Sequence, residues 1–381
     1  MESLNDIRVL IIVATNMLGG PGKGIFQLLR TNKARRRFSW TLVNFRRGRE
    51  LTEFMTVAEE QELPVCMLEQ HAVLDPTLIG RALRLVRETN ANLVQTHGYK
   101  SHILAVVIRA LIPNVRWIAW AHGWTQERGR VRLYNWLEKR LIRYADSVVA
   151  VSPALFETVG SWRGAERPTH LVVNAVEPQA RSDATRDSLR SSMNVDSNCF
   201  LIGVIGRLSP EKGHSVVIEA THRLRNMGIH MKAVFVGDGP LRGELANEVM
   251  AAGLEGEVIL CGHKRNVNDY LAAMDVMVLP SFTEGFPNVL LEAMASETPV
   301  VASSVGAIPT VVEDGVTGWL VSPGDVEELV TILKRVAETP ALGREIARNA
   351  HDMAISNFSP DDRYRRVVKI YESELGRRSE R

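Results

Sequence analysis

Twice along the chain, short apolar runs rich in Val, Ile and aromatic residues alternate with helical patterns. In the first half the runs fall at residues 7–14, 40–45, 93–96, 116–120, 147–151 and 171–173. Each is too short for a helix, and continuous apolar runs suit a parallel sheet covered on both faces. Helical segments lie between them, such as 78–88 and 131–145. The stretch 177–198 is polar, with few large apolar residues, and reads as an interdomain linker. The alternation then restarts, with runs at 201–205, 233–236, 258–260, 276–279, 300–302 and 318–321. The helix after the first of these places Val216, Val217, Ala220, Leu224 and Met227 on one stripe. A last amphipathic helix, 361–374, places Tyr364, Val367, Val368 and Tyr371 on one face. The pattern is βαβ repeated twice, so an α/β chain of two Rossmann-like domains is expected. The length of 381 residues agrees with two domains.

Composition narrows the class. With 45% hydrophobic and 24% charged residues the chain is ordinary globular protein. The three cysteines, Cys66, Cys199 and Cys261, are odd in number and form no CxxC pair. Neither a disulfide framework nor a zinc site is indicated, and a cytoplasmic location is expected. The apolar run 7–13 comes too early and is too brief for a signal peptide, and the run 103–112 is broken by Arg109. Net charge is +2, but residues 1–180 hold 24 Lys/Arg against 16 Asp/Glu, a balance of +8, and the remainder balances at −6. The two halves are therefore expected to face different partners.

The densest chemistry lies in Glu284-Gly-Phe286-Pro287-Asn288-Val289-Leu-Leu-Glu292. Pro287 is suited to the first position of a helix, and the free amides of Asn288 and Val289 would form an anion site. An acid, an anion hole and a second acid then share one strand–loop–helix unit, which suits a ligand with a sugar, a phosphate and a ribose. In Gly206-Arg207-Leu-Ser-Pro-Glu-Lys212-Gly213, two cations bracket a turn at a strand end, where they could hold a diphosphate and stabilise its charge on departure. Gly237, in Val236-Gly-Asp-Gly-Pro240, and Gly262 with His263 follow the next strands at the edge where α/β folds bind ligands. In the first half, Leu18-Gly19-Gly20-Pro-Gly-Lys-Gly24 reads as a loop after the first strand. It fits neither GxGxxG nor the P-loop, because Ile25 and Gly24 stand where Gly and Ser/Thr are needed. His97 and His122 each end a strand and precede Gly, so both lean toward a cleft. No Asp-x-Asp occurs, so no compact carboxylate pair advertises a divalent metal site.

Taken together these motifs resemble the family-4 retaining glycosyltransferases of the GT-B fold. The resemblance runs in order from Gly19-Gly20 through Arg207 and Lys212, residues 236–240 and 284–292, to Gly306-Ala-Ile-Pro-Thr-Val-Val-Glu-Asp-Gly-Val-Thr-Gly-Trp-Leu-Val321. It implies two Rossmann-like β/α/β domains facing a central cleft. An acceptor-side domain at 1–178, a nucleotide-sugar-binding domain at 179–358 and a helix at 359–381 crossing back to the first domain are expected. It implies that Arg207 and Lys212 contact the donor diphosphate, Glu292 the ribose, and the Asn288 and Val289 amides phosphate. Glu284 would face the donor sugar. Gly20 would lie near the diphosphate and His122 near the sugar, with Gly19 and His97 on the acceptor side. Two departures stand out. The glycine loop continues Pro-Gly-Lys-Gly, where many relatives carry an acid, and Asn174-Ala-Val-Glu177 stands where Asn-Gly-Val-Asp is more usual.

The expected activity is metal-independent, retaining transfer of a sugar from a nucleotide-diphosphate-sugar, a substrate rather than a cofactor, to a saccharide or lipid-linked acceptor. Cell-surface polysaccharide or glycolipid synthesis is the expected setting, and no nucleic-acid partner is expected. A phosphorylase or nucleotide-sugar epimerase on the same fold, or a non-catalytic nucleotide-sugar-binding subunit, are the rivals. Cations concentrate at 33–37 and at 128–143, where Arg128, Arg130, Arg132, Lys139, Arg140 and Arg143 surround Val131, Tyr134, Leu137 and Leu141. The second segment has the pattern of a peripheral contact with an anionic membrane, here its inner face.

Overall fold

The computed structural model describes residues 7–15, 18–48, 52–71, 75–124, 130–163, 167–179 and 182–379. The chain forms two compact units, Met1–Asn174 with Pro360–Arg381, and Ala175–Ser359.

In the first unit, β1 (Arg8–Val13), β2 (Ser39–Arg46), β3 (Val65–Glu69), β4 (Leu93–His97), β5 (Arg116–Ala121), β6 (Ser147–Ala150) and β7 (Thr169–Leu171) make one sheet. Its order is β3-β2-β1-β4-β5-β6-β7, and its strand pairs are parallel. Helices α1 (Gly20–Arg35), α2 (Glu53–Glu60), α3 (Thr77–Glu88), α4 (Tyr99–Leu111), α5 (Arg130–Leu141) and α6 (Pro153–Arg163) connect the strands. Val9 to Val13 of β1 and all five residues of β4 are buried, as a sheet covered on both faces requires. Each buried Leu or Ile contributes roughly 1.5–3 kcal/mol, so the apolar centre of β1 anchors the sheet where strand order reverses.

The second unit repeats the plan. It contains α7 (Asp183–Ser192), β8 (Phe200–Ile205), α8 (His214–Asn226), β9 (Met231–Val236), α9 (Arg242–Ala251), β10 (Val258–Gly262) and α10 (Val267–Ala273). β11 (Val276–Leu279), α11 (Asn288–Ala295), β12 (Val300–Ser303), β13 (Trp319–Val321), α12 (Val326–Glu338) and α13 (Pro340–Asn357) complete it. The sheet order is β10-β9-β8-β11-β12-β13, again parallel. The last helix, α14 (Pro360–Ser379), belongs to the first unit and packs on α1. Tyr364 Oη donates to Asn32 Oδ1 at 2.8 Å, and Arg363 Nη1 donates to the Gly24 carbonyl at 2.7 Å.

Three sequence expectations are corrected. The polar stretch 177–198 is not a bare linker, because it contains α7, and the chain passes between units at 174/175 and 359/360. The two arginines of α7 are structural: Arg190 is buried, and Arg186 and Arg190 both bond the Asp275 carboxylate. The segment after Gly19 is not a loop but the first turn of α1. A Cβ at Gly24 would lie 2.9 Å from the Arg363 guanidinium, so that glycine makes room for α14. Met227 lies beyond the end of α8 and is exposed, so the buried stripe there is Val217, Ala220 and Leu224.

Candidate active site

In the second unit the predicted residues gather at the C-terminal ends of β8, β9, β10 and β11, where strand order reverses around β8. The loop after β8 closes in a 3-10 turn, Pro210–Lys212. Lys212 Nζ donates to Glu284 Oε1 at 2.6 Å, and Ser281 Oγ donates to the same oxygen at 2.7 Å. The Glu284 side chain is only 7% exposed and that of Lys212 is 24% exposed, so the pair is partly desolvated and sits at the rim. Arg207 stands exposed on the same loop.

Backbone bonds knit these loops into one surface. Phe282 N–H donates to the Glu211 carbonyl at 2.8 Å, Leu208 N–H to Asp238 at 3.0 Å, and Gly237 N–H to Gly262 at 2.9 Å. Gly237 has φ 151°, and a Cβ there would lie 1.8 Å from the Gly206 carbonyl oxygen. Only glycine fits that approach. Gly306, at φ 58°, is equally required, because its Cβ would lie 2.0 Å from the Glu284 carbonyl oxygen. Gly262 ends β10 and His263 beside it is exposed.

Helix α11 begins one residue after Pro287, its expected first position. Pro287 is the N-cap, with φ −73° and ψ 117°, and Asn288 is the first helical residue. No side chain caps this end, so the first-turn amides of Asn288 and Val289 suit an anion. Glu292 is the fifth residue of α11, just past its first turn, and is half-buried. Phe286 and Pro287 are buried. Phe286 packs against Phe358 with ring centroids 5.8 Å apart. Phe286, expected among donor-binding residues, is held on this loop by that packing.

The first unit builds its rim from different groups. Gly19 is the N-cap of α1 and Gly20 its first residue, with no side-chain cap. The Leu18 N–H beside them donates to Glu53 Oε2 at 3.2 Å. His97 ends β4 in register with Val13 and Trp120, and His122 follows β5. The two imidazoles meet, His97 Nδ1 to His122 Nε2, at 2.8 Å. Both stack with Trp120, at centroid distances of 5.4 Å and 6.0 Å. Burial, then the positive fields of His122, His102 and Arg363, push the His97 imidazole well below its usual range. Burial, with Arg363 and His102, takes His122 down to about 3. Both rings are neutral at physiological pH.

Ser281, Gln95, Tyr371 and Arg363 join these residues without a motif of their own in the sequence. Gln95 Nε2 donates to His97 Nε2 at 2.8 Å, and Tyr371 Oη donates to Gln95 Oε1. Arg363 lies 5.2 Å over the Trp120 ring. Gln95 was readable as the residue two before His97 on one strand, hence on the same face. Nothing local pointed to Tyr371.

The basic segments divide. Lys33, Arg35 and Arg37 pair with Glu62, Asp361 and Glu372 within the first unit. Arg128 and the side chains of Arg130 and Val131 lie outside the described residues. Tyr134, Leu137 and Leu141 are half-buried on α5, with Tyr134 stacked on Tyr99 at 4.5 Å. The exposed apolar residues are others: Leu133 at 58%, Trp136 at 54% and Tyr144 at 66%. Arg132, Arg140 and Arg143 stand exposed among them, Arg140 5.6 Å from the Trp136 ring. No helix among the described residues is long and apolar enough to cross a membrane.

Residues 19–180 match the family described as Glycosyltransferase Family 4, and residues 199–339 match Glycosyl transferases group 1. The chain is 28% identical over 265 residues to an alpha-D-kanosaminyltransferase of Streptomyces kanamyceticus, covering 68% of each. It is 25% identical over 308 residues to a UDP-Gal:alpha-D-GlcNAc-diphosphoundecaprenol alpha-1,3-galactosyltransferase of Escherichia coli, covering 76% of this chain and 77% of that one. Among solved structures, HepE of Anabaena in complex with UDP-glucose superposes with a TM-score of 0.84 at 23% identity, covering 96% of this chain and 100% of that one. That likeness speaks for the fold.

Proposed function

The chain belongs to the family-4 glycosyltransferases, built on the GT-B fold, and from that premise we propose that it is a retaining, metal-independent enzyme of cell-surface polysaccharide or glycolipid synthesis. It transfers a sugar from a nucleoside-diphosphate-sugar to a saccharide or lipid-linked acceptor. The observation that carries this reading is the pairing of Lys212 with Glu284 at the strand-order reversal, on the same surface as the uncapped start of α11. Lys212 and Arg207 take the diphosphate, the Asn288 and Val289 amides take phosphate oxygens, and Glu292 takes the ribose hydroxyls. Glu284 orients Lys212 and meets the donor sugar.

During transfer the bond between the anomeric carbon and the diphosphate oxygen breaks, and negative charge grows on the leaving group. Preorganised cations and amides at that point stabilise the transition state more than the ground state. The acceptor hydroxyl forms the new bond on the face from which the diphosphate departs, and its proton passes to the departing phosphate oxygen. Retention follows from that geometry. The solved relative of similar fold holds UDP-glucose, which supports a nucleotide-sugar donor here.

The test is a thermal-shift screen against UDP-, GDP- and ADP-sugars, because a ligand bound only by the native state raises the melting temperature. Nucleotide release with an acceptor panel follows, in excess EDTA, with the anomeric configuration of the product read by NMR. Stabilisation by one nucleotide class and acceptor-dependent release of its diphosphate are expected. Turnover that dies in EDTA and returns with Mg²⁺ overturns the metal-free reading, an inverted product overturns retention, and phosphate-dependent cleavage points to a phosphorylase.

A further inference from the structure

The histidine pair of the first unit is the end of a longer buried chain with a definite direction. Tyr371 Oη, on α14, donates to Gln95 Oε1. The Gln95 amide nitrogen has no lone pair to offer, so its 2.8 Å contact makes His97 Nε2 an acceptor. A neutral imidazole with Nε2 accepting carries its proton on Nδ1. His97 Nδ1–H therefore donates across 2.8 Å to His122 Nε2. By the same rule His122 carries its proton on Nδ1. Among the described residues no group bonds that nitrogen.

We propose that Tyr371 and Gln95 are positioning residues that lock His122 as its Nδ1–H tautomer, making it a hydrogen-bond donor to a sugar hydroxyl rather than a general base. This rests on the transferase reading proposed above and on what the family resemblance implies, that His122 lies near the sugar. A base needs a lone pair toward the substrate, and in this chain the His122 lone pair is already occupied by His97. A second proton on His122 would face the His97 Nδ1–H, and Arg363 adds an unfavourable positive field. Trp120 stacks on both rings at interplanar angles of 26° and 19° to its own plane, and the two imidazole planes lie 26° apart. The chain starts on the last helix of the sequence and ends beside β5, so the C-terminal segment sets the chemistry of a residue 249 positions upstream of Tyr371.

Two-bond proton–nitrogen NMR on full-length protein labelled at histidine nitrogens tests this with no substrate. At pH 7 His122 is expected as a neutral ring protonated on Nδ1. Gln95→Glu places an acceptor where the amide donated, so both rings should reverse and His122 should carry its proton on Nε2. In the same variant kcat should fall about 10²-fold, the order expected when one transition-state donor is lost, with donor KM nearly unchanged. Tyr371→Phe, which removes the end of the chain and buries no charge, should give a mixture of the two tautomers and a smaller loss of kcat. An Nε2–H or doubly protonated His122 in the wild-type protein overturns the proposal, even if Gln95→Glu fails to fold. Reversed rings with unchanged kcat overturn the catalytic role and leave a structural one. A wild-type protein with the expected tautomer but no transfer to any acceptor counts against the transferase reading instead.

Discussion

The two units carry the same sheet plan and the same reversal of strand order, yet their rims share almost no chemistry. In the second unit the rim is charged and made rigid by loop-to-loop backbone bonds, with Lys212 held by Glu284 and Arg207 exposed nearby. In the first it is aromatic, with His97 and His122 both neutral, stacked with Trp120 and tied through Gln95 to Tyr371, and with the Arg363 guanidinium behind them on Trp120. The fold thus fixes where a ligand sits, and the loop residues decide what it is. A charged rim suits a departing diphosphate. Neutral imidazoles with fixed donor and acceptor atoms suit hydroxyl groups, which need orientation more than charge.

The sharpest way to break this contrast is to remove charge from the second rim. Lys212→Ala should cut kcat/KM by about 10³-fold and Arg207→Ala by about 10²-fold, on the scale of losing one charge-stabilising donor. Lys212→Ala should be the worse of the two, because it also leaves the buried Glu284 carboxylate with, among the described residues, only the Ser281 hydroxyl for a side-chain partner. Steady-state kinetics decides it, and equal losses of less than tenfold would place the diphosphate elsewhere. Within the same rim, Glu292→Ala should weaken nucleoside-diphosphate binding about tenfold, a loss of roughly 1.4 kcal/mol. Glu284→Gln should lower turnover and leave that binding intact. If calorimetry finds both variants equally poor binders, ribose and sugar have been assigned to the wrong acids.

How much of this was legible depended on how locally each feature is encoded. Twelve of the thirteen strands stand within two residues of an apolar run, because buried parallel strands are apolar on both faces. The exception, β3, is an edge strand whose residues Val65 to Met67 are half-exposed, so its run is weak. Helix α7 read as linker because its buried side chain is Arg190, satisfied by backbone carbonyls and Asp275 that no local pattern foretells. The glycines at 22 and 24 looked like a ligand loop but sit in a helix, where Gly24 accommodates Arg363 from 339 residues away. The acids and cations of the second rim were readable because each lies just after its strand. The tie between Lys212 and Glu284, and the path from Tyr371 to His122, needed the tertiary fold.

Acid should separate the units more gently. His97 and His122 are held neutral in the first unit, and His214, pushed down to about 4 chiefly by burial and then by Lys212, in the second. Each binds a proton when unfolded, near pH 6.5, before it does when folded. Their contribution is therefore complete above about pH 6.5 and is lost as pH falls toward the folded values, at roughly 1–2 kcal/mol per histidine by pH 5. Two such groups against one make the first unit the more acid-sensitive. Trp40, Trp117, Trp120, Trp124, Trp136 and Trp162 lie in that unit and Trp319 in the other, so tryptophan fluorescence reports mainly on the first. Between pH 7 and pH 5 its melting transition should drop further than one followed by proteolysis within residues 175–359. Parallel shifts would mean that the histidines ionise without cost.

The smallest expected effect concerns what lies outside the rims. The first unit carries the positive balance and presents Leu133, Trp136 and Tyr144 beside Arg132, Arg140 and Arg143. The half-buried stripe of Tyr134, Leu137 and Leu141 is spent on packing, so it is this second set that is free to meet a surface. Exposed aromatic and aliphatic groups among arginines fit an anionic lipid interface, where each cation contributes about 1 kcal/mol and the apolar groups enter the headgroup layer. A lipid-linked acceptor would be delivered at such a surface. The protein should pellet with anionic vesicles and not with neutral ones, and salt should release it, since screening shortens the reach of the charges. Arg132→Glu with Arg140→Glu should reduce pelleting about tenfold or more by that arithmetic, and Trp136→Ala should reduce it less. Neither change should alter the affinity for a nucleoside diphosphate, because the charged rim belongs to the other unit. Vesicle binding that ignores lipid charge, or a loss of nucleotide affinity in the double variant, would erase the division of labour between the two units and leave a soluble saccharide as the better acceptor.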